Sequence, residues 1–136
     1  MMKPLKNSGQ SMAFDVLITD EADADLDSIA SYVRRQDGEA AARKWFASIT
    51  ASIKSLKEMP ARCAMAPEAD DLNTEVRIRL HGRGKRTYRI YYQIRSETAS
   101  AGTVRVLSIR HWARKPLGDD EIHDLIDDKE DGEALQ

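Results

Sequence analysis

Apolar positions in this chain follow two periods. Ala13 to Thr19 (AFDVLIT) is a short run rich in β-branched and aromatic residues, which predicts a buried strand. From Ala22 the spacing turns helical, with Ala22, Leu26, Ile29, Ala30 and Val33 on one stripe. Asp20, Glu21 and Asp23 crowd the start of that stripe and Arg34 and Arg35 its end, as a helix dipole favours. Asp37-Gly38 breaks the pattern. A second stripe of Ala42, Trp45, Phe46, Ile49, Ile53 and Leu56 runs to Met59-Pro60, where proline ends it. Two helices joined so closely predict an antiparallel hairpin, with Trp45 and Phe46 in the core.

Residues 61–73 carry no pattern and read as a loop. Val76, Ile78 and Leu80 then alternate with Arg77 and Arg79. Gly82 to Lys85 reads as a turn. Tyr88, Ile90, Tyr92 and Ile94 alternate with Arg89, Tyr91 and Gln93, and Ser96 to Gly102 reads as a second turn. Val104 to Ile109 is apolar on both sides, as a central strand would be. Ile122, Leu125 and Ile126 form the apolar side of a helix from about Asp119 to Asp127. The predicted fold class is α+β: an N-terminal strand, an antiparallel helical hairpin packed on an antiparallel β-meander, and a short C-terminal helix. The expected organisation is a loose arm over 1–12, a domain over 13–117, and an acidic helix and tail over 118–136, disordered after residue 127. The hairpin must bury its stripe on one sheet face. Parity then puts Val76, Ile78 and Leu80 beneath it and Arg77, Arg79 and Arg89 on the open side.

Charge sharpens this picture. The 136 residues, one domain's worth, carry a net charge of −2 that conceals a segregation. From Val76 to Lys115 there are eleven Lys or Arg and one acid, Glu97; from Asp119 to Glu133 there are nine acids and one base, Lys129. Opposite solvated faces would explain this, and so would a polyanion site with an acidic tail docked over it. The one cysteine, Cys63, excludes an internal disulfide and a cysteine-built zinc site. The lack of a long apolar run and of a leader pattern excludes a membrane role and points to a reducing cytoplasm. His81, His111 and His123 lack metal-ligand spacing, so neither a metal nor another cofactor is expected.

An arginine-lined face suits phosphate, which guanidinium groups grip bidentately. Metal-free RNA cleavage needs a base for the 2′-hydroxyl, cations for the crowded phosphate and an acid for the leaving oxygen. Arg79, Arg89 and His111 are the candidates for those catalytic roles. Arg77, Lys85, Arg86, Tyr91, Trp112, Arg114 and Lys115 are the candidates for target binding, with Tyr91 placed to stack on a base. The competing reading is structural: soluble strand arginines, and a histidine donating to a backbone carbonyl at a strand end.

Three segments resemble the RelE/ParE superfamily of toxins, over about residues 13 to 115. The first is Ala24 to Val33 (ADLDSIASYV) with Ala40 to Phe46 (AAARKWF) and Leu56 to Pro60 (LKEMP), similar to the long hairpin of ParE-type members. The second is Val76 to Leu80 with Tyr88 to Ile94 (YRIYYQI), and the third is Val104 to His111 (VRVLSIRH). The resemblance implies a growth-inhibiting toxin of a plasmid-stabilising type II toxin–antitoxin pair, neutralised by a cognate antitoxin that wraps it. RelE-type members cleave mRNA on the ribosome with basic strand residues, which Arg77, Arg79 and Arg89 match. ParE-type members poison DNA gyrase and are not nucleases. The hairpin, and Trp112-Ala113-Arg114-Lys115 where RelE-type members carry arginine and tyrosine, lean to the ParE type. A DNA- or protein-binding module without toxicity is the third reading.

Overall fold

The computed structural model describes residues 13–65, 76–98, 101–114, 118–127 and 131–135. Strand β1 (Ala13–Thr19) leads directly into helix α1 (Asp20–Asp37). Thr19 makes the junction: its hydroxyl accepts from the Ala22 amide at 3.3 Å, capping the helix, and donates to the Val106 carbonyl at 2.8 Å. Gly38, at φ 99°, reverses the chain, and its amide closes the helix on the Arg34 carbonyl. Helix α2 (Glu39–Lys54) returns antiparallel, as the sequence predicts. Short 3-10 turns at Ser55–Lys57 and Pro60–Arg62 lead to the two-residue strand β2 (Ala64–Met65). Then follow β3 (Val76–His81), β4 (Tyr88–Thr98), β5 (Ala101–His111), α3 (Asp119–Asp127) and β6 (Asp131–Leu135).

The described strands form one sheet in the order β2-β3-β4-β5-β1-β6. β3, β4 and β5 are the predicted antiparallel meander, while β1 lies parallel to β5 and makes the sheet mixed. β5 is central, as its two-sided apolar pattern demands. The strands of the second hairpin run to Thr98 and from Ala101, so the turn between them is shorter than Ser96 to Gly102. Residues 131–135 pair antiparallel with β1 instead of being disordered, because the outer edge of β1 offers unpaired backbone groups. The N-terminal arm lies outside the described residues.

The main core lies between the hairpin and one sheet face. It joins Val16, Ile18, Leu26, Ile49, Ile53 and Leu56 to Tyr88, Ile90, Tyr92, Val104, Val106 and Ile109. Trp45 packs against this core with its ring 5.4 Å from Tyr88, whereas Phe46 is 43% exposed, contrary to expectation. A second, smaller core fills the opposite face, where Val76, Tyr91 and Leu107 meet Ile122 of α3, with Ile78, Leu125 and Ile126 around them. Both faces of the sheet are therefore covered.

Candidate functional site

That second layer overturns the expected arginine face. Ile78 pairs with Tyr91, and Leu80 with Arg89, on the α3 side. Arg77 pairs with Tyr92, and Arg79 with Ile90, on the hairpin side. Arg77 and Arg79 thus lie opposite Arg89. The apolar row of β3 meets α3, and the arginines turn beneath the hairpin near the sheet edge. Arg77 donates to the Cys63 carbonyl and the Tyr92 hydroxyl to the Pro60 carbonyl, which fastens the turn after α2. Burial holds the Tyr92 hydroxyl well above the usual phenol range. The Arg79 Nε is buried without a hydrogen-bond partner. Beside it, His81 is clamped by two α2 serines, Ser52 at 2.6 Å from Nδ1 and Ser48 at 3.1 Å from Nε2. Desolvation, reinforced by the charge of Arg79, lowers the His81 pKa.

His111 falls on the hairpin side with its cross-strand neighbour Tyr88, ring to ring at 5.1 Å. Its Nε2 donates to the Lys85 carbonyl at 2.7 Å, and its Nδ1 accepts from the Ala113 amide at 3.0 Å. Both ring nitrogens are committed to backbone, leaving no lone pair for a substrate proton. His111 staples the 3-10 turn Gly84–Arg86 to the end of β5. That turn depends on Gly82: at φ 97°, a Cβ there would sit 2.0 Å from the Arg86 carbonyl oxygen. Tyr32, Gln36 and Asp37 of α1 face Lys85, Arg86, Tyr88 and His111 across a half-open cleft of about 290 Å³. Arg86 pairs there with Asp37 at 2.8 Å, on the cleft rim.

The other side of the same sheet end carries the remaining candidates. The Arg89 guanidinium lies 4.5 Å from the centre of the Trp112 ring and donates to the Arg114 carbonyl at 3.3 Å. Trp112 is 52% exposed, and Leu80 lies open beside Arg89's row. Tyr91 shares the face of Arg89 as parity predicts, but it is fully buried beneath α3 and presents no ring to a base. Lys115 lies outside the described residues.

Three further participants carry little signal in the sequence. Arg105, on the α3 face, is almost fully buried, and its Nη1 donates to Gln93 at 3.2 Å and to the Ile126 carbonyl at 3.5 Å. Its only signal was a charge inside an apolar strand. Asp25 of α1 accepts from the Ser108 hydroxyl at 2.8 Å and the Ile109 amide at 2.9 Å, where β1 no longer covers β5. Burial raises its pKa despite those bonds. Tyr32 projects from α1 off the apolar stripe, a position that already marks it as exposed. No group of three or more His, Cys, Asp or Glu able to hold a metal occurs among the described residues, and no helix there is long and apolar enough to cross a membrane.

Known proteins place this arrangement. No curated protein matches the chain closely enough to count as a relative. A solved chain from the chromosomal ParDE TA system of P. aeruginosa shares the fold, with a TM-score of 0.57 and 19% identity, over 74% of this chain and 97% of that one. The family model described as the ParE toxin of the type II toxin-antitoxin system, parDE, matches residues 16–116, well over half of the chain. The chain belongs to the ParE toxin family of type II toxin–antitoxin systems.

Proposed function

We propose that this ParE-family chain inhibits growth by binding DNA gyrase, without catalysing a reaction, and that a cognate antitoxin protein neutralises it. The observation that carries the non-enzymatic reading is the dispersal of the three residues that RNA cleavage would need. Arg79 lies under the hairpin, Arg89 on the opposite face, and His111 has both nitrogens tied to backbone. General acid–base chemistry requires such groups to converge on one substrate atom. Target contact is assigned instead to the sheet end where Tyr32, Lys85 and Arg86 border the cleft on one side and Arg89, Trp112 and Arg114 crowd the other. Exposed aromatic and arginine side chains are the usual anchors of protein interfaces.

The test is expression of the chain alone in growing cells, with DNA-damage response and mRNA integrity followed together. DNA breaks with intact mRNA are expected. Early mRNA cleavage on ribosomes would establish the endoribonuclease reading in place of this one, and absence of toxicity would leave a binding module. Arg79→Met should keep full toxicity, since its guanidinium cannot reach the face of Arg89, while Trp112→Ala should reduce it at least about tenfold, as loss of an interface anchor does.

A further inference from the structure

The seam between α2 and the end of β3 holds more hydrogen-bond donors than the protein satisfies. Arg79 and His81 share the hairpin side of β3, about 6.6 Å apart along the strand. Ser48 and Ser52, one helical turn apart on α2, hold the His81 ring between their hydroxyls. No carboxylate pairs with Arg79 among the described residues, and its Nε is buried without a hydrogen-bond partner. Trp45, one turn before Ser48 on the same helix, adds a second buried donor without a partner, its Nε1. A half-buried cation and an orphaned N–H each cost free energy that only an acceptor offsets. No acid acts on the His81 ring: the charge it feels is that of Arg79, Tyr88 is its cross-strand neighbour on β4, and α2 presents the two serines. Ser48 is exposed, so the seam is reached from solvent at that point.

We propose that Arg79, His81, Ser48 and Ser52 form a binding site for a small phosphate-type dianion, either the free ion or the terminal group of a small monoester, which enters together with one proton for His81. The hydroxyls explain the coupling. Around a neutral imidazole, one ring nitrogen accepts from a serine and the other donates to the second serine, so one hydroxyl proton is engaged by the ring. Once the ring is protonated both nitrogens donate, and both serine hydroxyls are released to donate outward. Two hydroxyls and the Arg79 guanidinium then offer more donors than a carboxylate has oxygens, whereas a tetrahedral anion accepts from them all. Imidazolium and guanidinium together carry the charge that a dianion balances. Without the anion, desolvation and then the charge of Arg79 hold His81 below its ordinary pKa and keep the ring neutral. An anion between the two cations removes that repulsion and favours the charged ring. The site lies on the hairpin side, opposite Arg89, and rests on neither the gyrase nor the antitoxin reading.

The experiment is a calorimetric titration of the full chain with sulfate, a dianion at both pH 7.5 and pH 5.5. Saturable binding with a dissociation constant of about 1 mM is expected at pH 5.5, and at least about tenfold weaker binding at pH 7.5, because one proton taken up with the anion changes affinity by up to about tenfold per pH unit. Titrations in buffers of different ionisation enthalpy should register that proton directly. His81→Gln should make the affinity independent of pH. Arg79→Met should weaken binding at pH 5.5 at least about tenfold, as loss of a charge-assisted bond does. Arg43→Gln, on the exposed side of α2, should leave it unchanged. Should circular dichroism show either seam variant to be unfolded, Ser48→Ala with Ser52→Ala takes its place, with the same tenfold loss expected. Competition against sulfate by inorganic phosphate and by glycerol phosphate identifies the source: a free ion if the first binds more tightly, a small monoester if the second binds as tightly or more so. No saturable binding up to about 10 mM sulfate, the same affinity at both pH values, or an equal loss in Arg43→Gln would overturn the proposal.

Discussion

Against one face of the sheet, α1 and α2 lay a continuous apolar layer from Phe14 to Ile109; against the other, α3 sets one fully buried isoleucine and two partly buried neighbours. The large contact fixes the fold, since burying each such side chain contributes roughly 1.5–3 kcal/mol. The smaller contact adds far less apolar burial to the opposite face. What separates the two is the amount of apolar area and how charge meets it: at the hairpin seam His81 is held by two serines, while on the α3 face Arg110 pairs with Glu121 and Arg105 reaches the Ile126 carbonyl.

The largest test of this contrast is Ile53→Ala beneath the hairpin. Ile53 is fully buried in the main core, so a loss of about 2–5 kcal/mol is expected in a denaturant titration. Ile122→Ala removes an equally buried side chain on the other face, yet its global cost should stay below about 1 kcal/mol, because α3 can detach before the hairpin core opens. Equal shifts of the two unfolding midpoints would show that both faces belong to one cooperative unit. The smallest effect concerns the hairpin seam and pH. The folded pKa of His81 lies below its ordinary value of 6.5, so the folded state binds fewer protons than the unfolded one. Its contribution is present above pH 6.5 and is lost as pH falls from there through the lowered folded value. Stability measured from pH 7.5 to 5 should fall more in the parent chain than in His81→Gln, and parallel curves would remove His81 from the seam.

Periodicity made most of the elements legible. The two helical stripes, the meander and the final helix lie where their spacing puts them, and Gly38 and Pro60 punctuate the chain as expected. Facing was harder to read, for a physical reason. Alternation in β3 reveals that Val76 and Ile78 share a side, but it is silent on which layer they meet. With the hairpin as the only covering layer, Val76 and Ile78 would lie beneath it; the short stripe of α3 supplies a second layer that takes them, which turns Arg77 and Arg79 to the hairpin side. β6 was invisible because DGEAL has no strand pattern, and its pairing comes from the open edge of β1. His111 was visible as a residue, but its two backbone bonds depend on the Gly84–Arg86 turn and the bend after β5, which no local pattern records.

The position of β1 bears on how the molecule comes into being. It is the first strand among the described residues, yet its pairing partners lie on β5, from residue 101 onward, and beyond residue 130 on β6. A chain leaving the ribosome therefore completes both hairpin helices with no sheet to receive them, and Thr19 waits for a carbonyl at residue 106. Contacts so distant in sequence make assembly slow and late. The sheet end that gathers Tyr32, Lys85, Arg89 and Trp112 therefore does not exist in a half-made chain, and the surface proposed to meet the target is assembled only once β5 has paired with both β4 and β1.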